Sequence, residues 1–426
     1  MAVAGGACDS PPPTLRIRAI RKRRQGRAPE QENALRRIVA VSDFCDVPPV
    51  PTSLSPADFE RGWAADAPLA PPAGRADVTG GYLERLPLAA VATGLADAAE
   101  VWSFCGRDAP DAFDSAGIAV GLPPARGASD RPGLVRRVFR ADGHPAPYGS
   151  ADAVAHVRRH GAPAILCVWG LGIDKALLEA CSESLKVYNS IDAPAIRIPP
   201  EVSRHFDLFL TGAEWQSDEI RARHPGALCA VLPIGPEFAS DETFHPTGAA
   251  KDYDVVYVAA TQPYKRHDLL LDTLERLPHL RALCVVGYGH LTDELRRSAE
   301  ARGLSVDWIG PLDHDGVNRA INRARVGVVC GVEDGAPAIL TEYMLAGLPV
   351  LANDRLVCGL QYIRPDTGLA ASEDRFAEGL EELLRRAPAL DPRAVVRANW
   401  TWPHSVRRLA GLLDHARERR RERVSA

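Results

Sequence analysis

The chain has 426 residues, carries 51 basic against 55 acidic side chains for a net charge of −4, and is 46% hydrophobic. At about 150 residues per domain this is room for two or three domains with substantial cores. It excludes a lone small module, a disordered chain and a bulk nucleic-acid binder.

Residues 1–35 mix proline, glycine and arginine without apolar periodicity and read as a flexible basic arm. Seven basic residues fall between Arg16 and Arg27 with no apolar stretch beside them, which is not a secretory signal. A strand is expected at Arg37 to Ser42, followed by a proline-rich loop from Asp46 to Pro71. Further apolar runs stand at 101–104, 163–169, 185–191, 206–211 and 228–233, with helical stretches at 173–184 and 213–224 between them. This alternation predicts a parallel sheet. The longest unbroken apolar run, Ala164 to Ile173, is ten residues, against the roughly 20 of a membrane-spanning helix.

Ser240, Pro246, Thr247 and Gly248 interrupt the pattern between Phe238 and Lys251, where the interdomain linker is placed. The alternation then sharpens. Strands are expected at 254–259, 281–286, 305–309, 326–330 and 349–352, and helices at 267–277, 292–302, 316–323, 338–346 and 373–386. The fold class is therefore α/β, with two doubly wound sheets whose ligands lie beyond the carboxyl ends of the strands. The domains run 36–246 and 247–396, and residues 397–426 form a docking helix, with Val406, Leu409, Leu412 and Leu413 on one face, and a basic tail from Arg417 to Arg423. That tail is a candidate for peripheral contact with anionic lipid.

The nine cysteines form no C-x-x-C pair and sit mostly in apolar runs, so they read as buried hydrophobes, and the protein is expected to be cytoplasmic. His156, His160 and His205 read as surface or satisfied histidines, and no metal site is expected.

Three segments of the second domain fall where ligands are expected. Gln262-Pro263-Tyr264-Lys265-Arg266 follows a strand and opens a helix, a place where basic side chains reach an anion; two exposed basic residues in a turn would read the same. Gly287-Tyr288-Gly289 lets backbone approach a ligand, although such turns are common. Glu333 to Leu351 carries an acidic strand end through a glycine turn into a helix, with Asp334 and Glu342 eight positions apart. Ionised carboxylates accept hydrogen bonds from sugar hydroxyls, though an acidic cap plus a helical glutamate fits the same pattern. In the first domain, Asp43 and the turn of Trp169, Gly170 and Gly172 are candidates for the acceptor side.

Asp334, Gly335 to Thr341 and Glu342, followed by Ala346-Gly347-Leu348-Pro349-Val350, resemble the retaining nucleotide-sugar glycosyltransferases of the GT-B fold, family 4 (group 1) type. Leu232 to Phe238 is similar to that family's interdomain Pro-x-Gly segment, Tyr264 to Asp268 to its phosphate-lysine turn, and Trp400 and Trp402 to the point where the last helix returns to the first domain. The resemblance implies a hexosyltransferase with two Rossmann-like domains facing across a cleft, a nucleotide-sugar donor, and a small-molecule or glycan acceptor, with no resident cofactor or metal. It assigns Lys265 to the donor diphosphate, Asp334 to the sugar hydroxyls and Glu342 to the ribose. Gly287, Gly289, Arg266 and the backbone of Gly335, Ala336, Ala338 and Ile339 complete the implied donor site.

Several positions depart from the pattern. Ala260 stands where the family has an arginine, so another residue such as Arg266 supplies the charge or binding weakens; Asp334 is one methylene short of the usual glutamate, unless Glu333 serves by a register shift; and Ser42-Asp43-Phe44-Cys45 replaces a glycine pair. Asp313-His314-Asp315 matches a metal motif of another glycosyltransferase fold and reads as a chance match. The alternatives are a nucleotide-sugar epimerase of the same architecture and a degenerate, non-catalytic subunit.

Overall fold

In the computed structural model the described residues are 35–41, 78, 82–105, 134–143, 146–189, 197–335 and 337–425. Thirteen strands form two sheets among them, and every pairing is parallel.

The first sheet is built from β1 (Arg37–Val41), β2 (Ala98–Cys105), β3 (Leu134–Arg140), β4 (Ile165–Trp169), β5 (Leu185–Asn189), β6 (Leu208–Thr211) and β7 (Cys229–Val231). Their spatial order is β3-β2-β1-β4-β5-β6-β7. The second comprises β8 (Tyr253–Val258), β9 (Ala282–Val285), β10 (Val306–Ile309), β11 (Ala324–Val329), β12 (Val350–Asn353) and β13 (Gly368–Ala371), in the order β10-β9-β8-β11-β12-β13. In each sheet the order reverses beside the first strand, the doubly wound pattern.

Burial explains why these runs are strands. All five residues of β1 are buried, with Ile38 and Ala40 in one apolar cluster and Val39 and Val41 in another. A strand with an apolar cluster on both faces needs an unbroken hydrophobic run.

The helix Trp402–Ser425 leaves the second lobe and packs Val406, Leu409, Leu413 and Ala416 into a cluster of the first lobe. Each large aliphatic side chain so buried contributes about 1.5–3 kcal/mol. Of the basic run, Arg417 pairs with Asp414, Arg419 donates to the Gly226 carbonyl, and Arg420 donates to the carbonyls of Ser182 and Ser184. Those three arginines fasten the helix to itself and to the first lobe. Among the described residues no helix is long and apolar enough to cross a membrane.

The lobes meet at loops that follow strands. Trp215, after β6, donates its indole N–H to the Val357 carbonyl at 2.8 Å, and Gln361 donates to the Gly212 carbonyl at 2.9 Å. Val357 and Gln361 follow β12, so the carboxyl ends of the two sheets face one another.

A candidate nucleotide-sugar site at the switch point

β8 and β11 are neighbours in the second sheet, and the chain leaves them in opposite directions. After β8 a short 3-10 turn, Pro263–Lys265, carries Lys265, whose carbonyl accepts from the Tyr257 hydroxyl at 2.5 Å. After β11 comes Gly331, where a Cβ would lie 2.9 Å from the Tyr264 carbonyl oxygen and 3.4 Å from the Lys265 Cα. The missing side chain lets the turn rest on the exit of β11, and Val332 N–H donates to that same carbonyl at 3.3 Å.

The Lys265 ammonium consequently donates to the Asp334 carboxylate, with the two side chains only 16% and 12% exposed. The ammonium also lies 5.0 Å from the Tyr264 ring centroid. The first two residues of the expected triad are thus in direct contact.

Glu342 sits in the first turn of the helix Ile339–Leu345. Its Oε1 accepts from Arg85 Nη2 at 2.6 Å, and Arg85 is 1% exposed. Arg85 belongs to the first lobe, on the helix Tyr82–Ala92. It also donates to the Gly235 carbonyl at 3.4 Å and lies 5.6 Å from the Phe244 ring. Thr341 donates to the Pro236 carbonyl at 2.9 Å, so the interdomain segment is fixed from both lobes. Sequence reasoning missed Arg85. Apolar residues at 83, 86, 89 and 90 carry a helical period, but Pro87 interrupts the pattern.

Arg266 is held by acidic neighbours. It adopts a left-handed backbone, φ 53°, and its guanidinium forks onto Glu373, Nη1–Oε1 2.8 Å and Nη2–Oε2 3.1 Å, and onto Asp268. These hydrogen bonds, with Glu373 foremost, raise its pKa further above the ordinary arginine value. The charge expected to stand in for the arginine missing at Ala260 is committed to two carboxylates.

Gly287 faces open space, whereas a Cβ on Gly289, φ 130°, would lie 2.3 Å from Thr261 Oγ1. Only the first of the pair therefore leaves room beside it for a ligand. Gly335 bridges to Cys358, and Ala338 and Ile339 are half-buried at the start of their helix. Ala336 lies outside the described residues, as does Asp43.

The residues of the acceptor-side turn lie in the interior. Trp169, Gly170 and Gly172 are all buried. Trp169 packs in the core, the Gly170 carbonyl accepts from Tyr188, and the Gly172 carbonyl accepts from Tyr148. Interior packing accounts for these residues. Asp313 accepts from the Gly316 N–H at 2.7 Å and caps the helix His314–Ile321. Among the described residues no three His, Cys, Asp or Glu side chains gather as a metal site.

His267 opens the helix that follows Lys265. It is 3% exposed, packs against the Tyr257 and Trp308 rings, and has no hydrogen-bond partner on either nitrogen among the described residues. Burial, reinforced by the Lys265 charge, pushes its pKa down to about 4, so the ring is neutral at pH 7.

Two facing lobes, each built on a parallel sheet, are an arrangement shared with known proteins. Residues 240–395 match the family model for glycosyl transferases, group 1. The D-inositol 3-phosphate glycosyltransferase of Mycobacteroides abscessus is 31% identical over 193 residues, which span 42% of this chain and 42% of that relative. Among solved structures, sucrose-phosphate synthase from Thermosynechococcus elongatus aligns with a TM-score of 0.57 at 15% identity, covering 92% of this chain and 100% of the other. HepE from Anabaena, in complex with UDP and glucose, aligns with a TM-score of 0.58 at 12% identity, covering 89% and 100%. The likeness to these structures is one of fold, and the fold is GT-B. Lys265, Asp334 and Glu342 all lie within the group 1 match, while Arg85 lies outside it.

Proposed function

We propose that the protein is a glycosyltransferase that moves a hexose-type sugar from a nucleoside-diphosphate donor to a hydroxyl of a natural product or glycan, with retention and without a metal, in the cytoplasm. The contact between Lys265 and Asp334 where the second sheet reverses carries this reading.

Lys265 binds the diphosphate. An arriving diphosphate competes with Asp334 for the ammonium, and the released carboxylate accepts hydrogen bonds from sugar hydroxyls. Glu342 accepts from the ribose, and the backbone N–H groups of Gly335, Ala338 and Ile339 line the remaining donor surface. As the bond from the anomeric carbon to the phosphate oxygen breaks, negative charge grows on the leaving group. Lys265 therefore holds the transition state more tightly than the ground state. The acceptor oxygen forms its bond on the face the phosphate leaves, and its proton passes to the departing phosphate, so no protein base is required.

The test is a panel of UDP-, GDP- and ADP-sugars incubated with candidate acceptors and read by release of free diphosphate and by the anomeric configuration of the product. One donor is expected to give acceptor-dependent release that Lys265→Ala suppresses. A sugar epimer formed without acceptor would replace this reading with the epimerase, and failure of every diphosphate to raise the melting temperature would favour a degenerate subunit.

A further inference from the structure

The carboxylate given to the ribose is not presented by its own lobe alone. Glu342 Oε1 is taken by Arg85 at 2.6 Å, whereas Oε2 has no donor among the described residues, and the side chain keeps 11% exposure. Arg85 is 1% exposed and is steadied by the Gly235 carbonyl and the Phe244 ring, so it has little freedom to turn away. A charge-assisted hydrogen bond to one carboxylate oxygen fixes the plane of the group, and the other oxygen remains a directed acceptor. The two side chains lie 257 positions apart in the chain and come from different lobes.

We propose that Arg85 is a positioning residue for donor recognition: it holds Glu342 in the one orientation in which Oε2 accepts from a ribose hydroxyl, so that the first lobe helps select ribonucleotides. The inference rests on the glycosyltransferase reading and adds a residue to it. Arg85 touches no donor atom in this scheme, and its effect passes entirely through Glu342.

A role confined to holding the lobes together would weaken all ligands alike. Positioning of Glu342 predicts instead a loss of discrimination between sugars of the nucleotide. Isothermal titration of the full chain with UDP, GDP and ADP, each against its 2′-deoxy and 2′,3′-dideoxy counterparts, reads this directly. Wild type is expected to prefer the best ribonucleotide over its deoxy forms by roughly tenfold or more, the worth of a hydrogen bond to a charged group. In Arg85→Met the ratio is expected to fall toward one, to match that of Glu342→Gln, and to fall no further when the two changes are combined. Arg85→Lys retains the charge and is expected to recover part of the ratio; it also serves as the reporting variant if Arg85→Met does not fold. An unchanged ratio in a folded variant overturns the inference and leaves the donor-site reading standing, whereas a wild type that binds diphosphates without distinguishing ribose overturns the inference together with the assignment of Glu342 to the ribose and leaves only the diphosphate role of Lys265 standing. A wild type that binds none of the diphosphates overturns both.

Discussion

Two buried carboxylates, one in each lobe, face arginines from other elements and are held differently. Glu100, inside the first sheet, is fully buried, and both its oxygens are occupied: Trp102 and Arg137 donate to one at 2.8 Å each, and Arg37 to the other at 3.3 Å. Burial alone would raise its pKa, but the two guanidinium groups overcome this and hold it below the ordinary carboxylate value. Glu342, beyond β11, has one arginine on one oxygen, and Asp334 has one lysine. A carboxylate with both oxygens taken serves the fold. One with an oxygen left over, just past the carboxyl end of a central strand, can accept from a ligand.

If that difference is real, Glu100→Gln destabilises the chain most. It leaves two buried guanidinium groups without a counter-charge, which costs about 3–5 kcal/mol, measured as a lower urea midpoint, while diphosphate affinity of the folded protein is unchanged. A midpoint equal to wild type would erase the distinction.

Lys265→Ala should do the reverse. Turnover falls by about two orders of magnitude, ~3 kcal/mol, while the urea midpoint moves little, because the pair is only partly buried and Asp334 is left within reach of water.

Each region also carries a buried histidine, which sharpens the comparison through pH. His267 lies beside Lys265, and burial together with Arg137 lowers the pKa of His156 to about 3. Both rings are neutral in the folded chain and take up a proton in the unfolded chain below about pH 6.5. Stability is therefore complete above pH 6.5 and declines as pH falls toward about 4 for His267 and about 3 for His156. For His267 alone the loss reaches about 3 kcal/mol at the acid end. His267→Leu should flatten that limb in melting curves taken from pH 7 to pH 4, and an unaltered slope would show that the ring titrates freely.

The smallest effect is expected for Gly331→Ala. The added Cβ pushes against the Tyr264 carbonyl, costs about 1–2 kcal/mol and shifts Lys265 away from Asp334, raising the donor KM several-fold in initial-rate measurements. A KM equal to wild type would mean that the turn does not depend on that contact.

The second lobe is the more legible of the two in the sequence. Expected strands at 254–259 and 281–286 correspond to Tyr253–Val258 and Ala282–Val285, because short apolar runs between amphipathic helices leave little ambiguity. β13, Gly368–Ala371, escaped because four small or half-buried residues carry no apolar run. In the first lobe β3 reads Leu-Val-Arg-Arg-Val-Phe-Arg and was not expected as a strand. The buried charge of Arg137 is balanced by Glu100 on a neighbouring strand, which local pattern does not reveal. Lys265 and Asp334 were legible from their spacing relative to strands; the fork that diverts Arg266 to Glu373, and the reach of Arg85 to Glu342, depend on long-range packing.

The most direct test of the donor site is a crystal structure of the protein with the nucleoside diphosphate that stabilises it most. The account predicts the terminal phosphate within hydrogen-bond distance of Lys265 Nζ, Asp334 released toward the sugar position, and the ribose on Glu342 Oε2 with Arg85 still on Oε1. A nucleotide bound away from Lys265, with the ion pair to Asp334 intact, would contradict it.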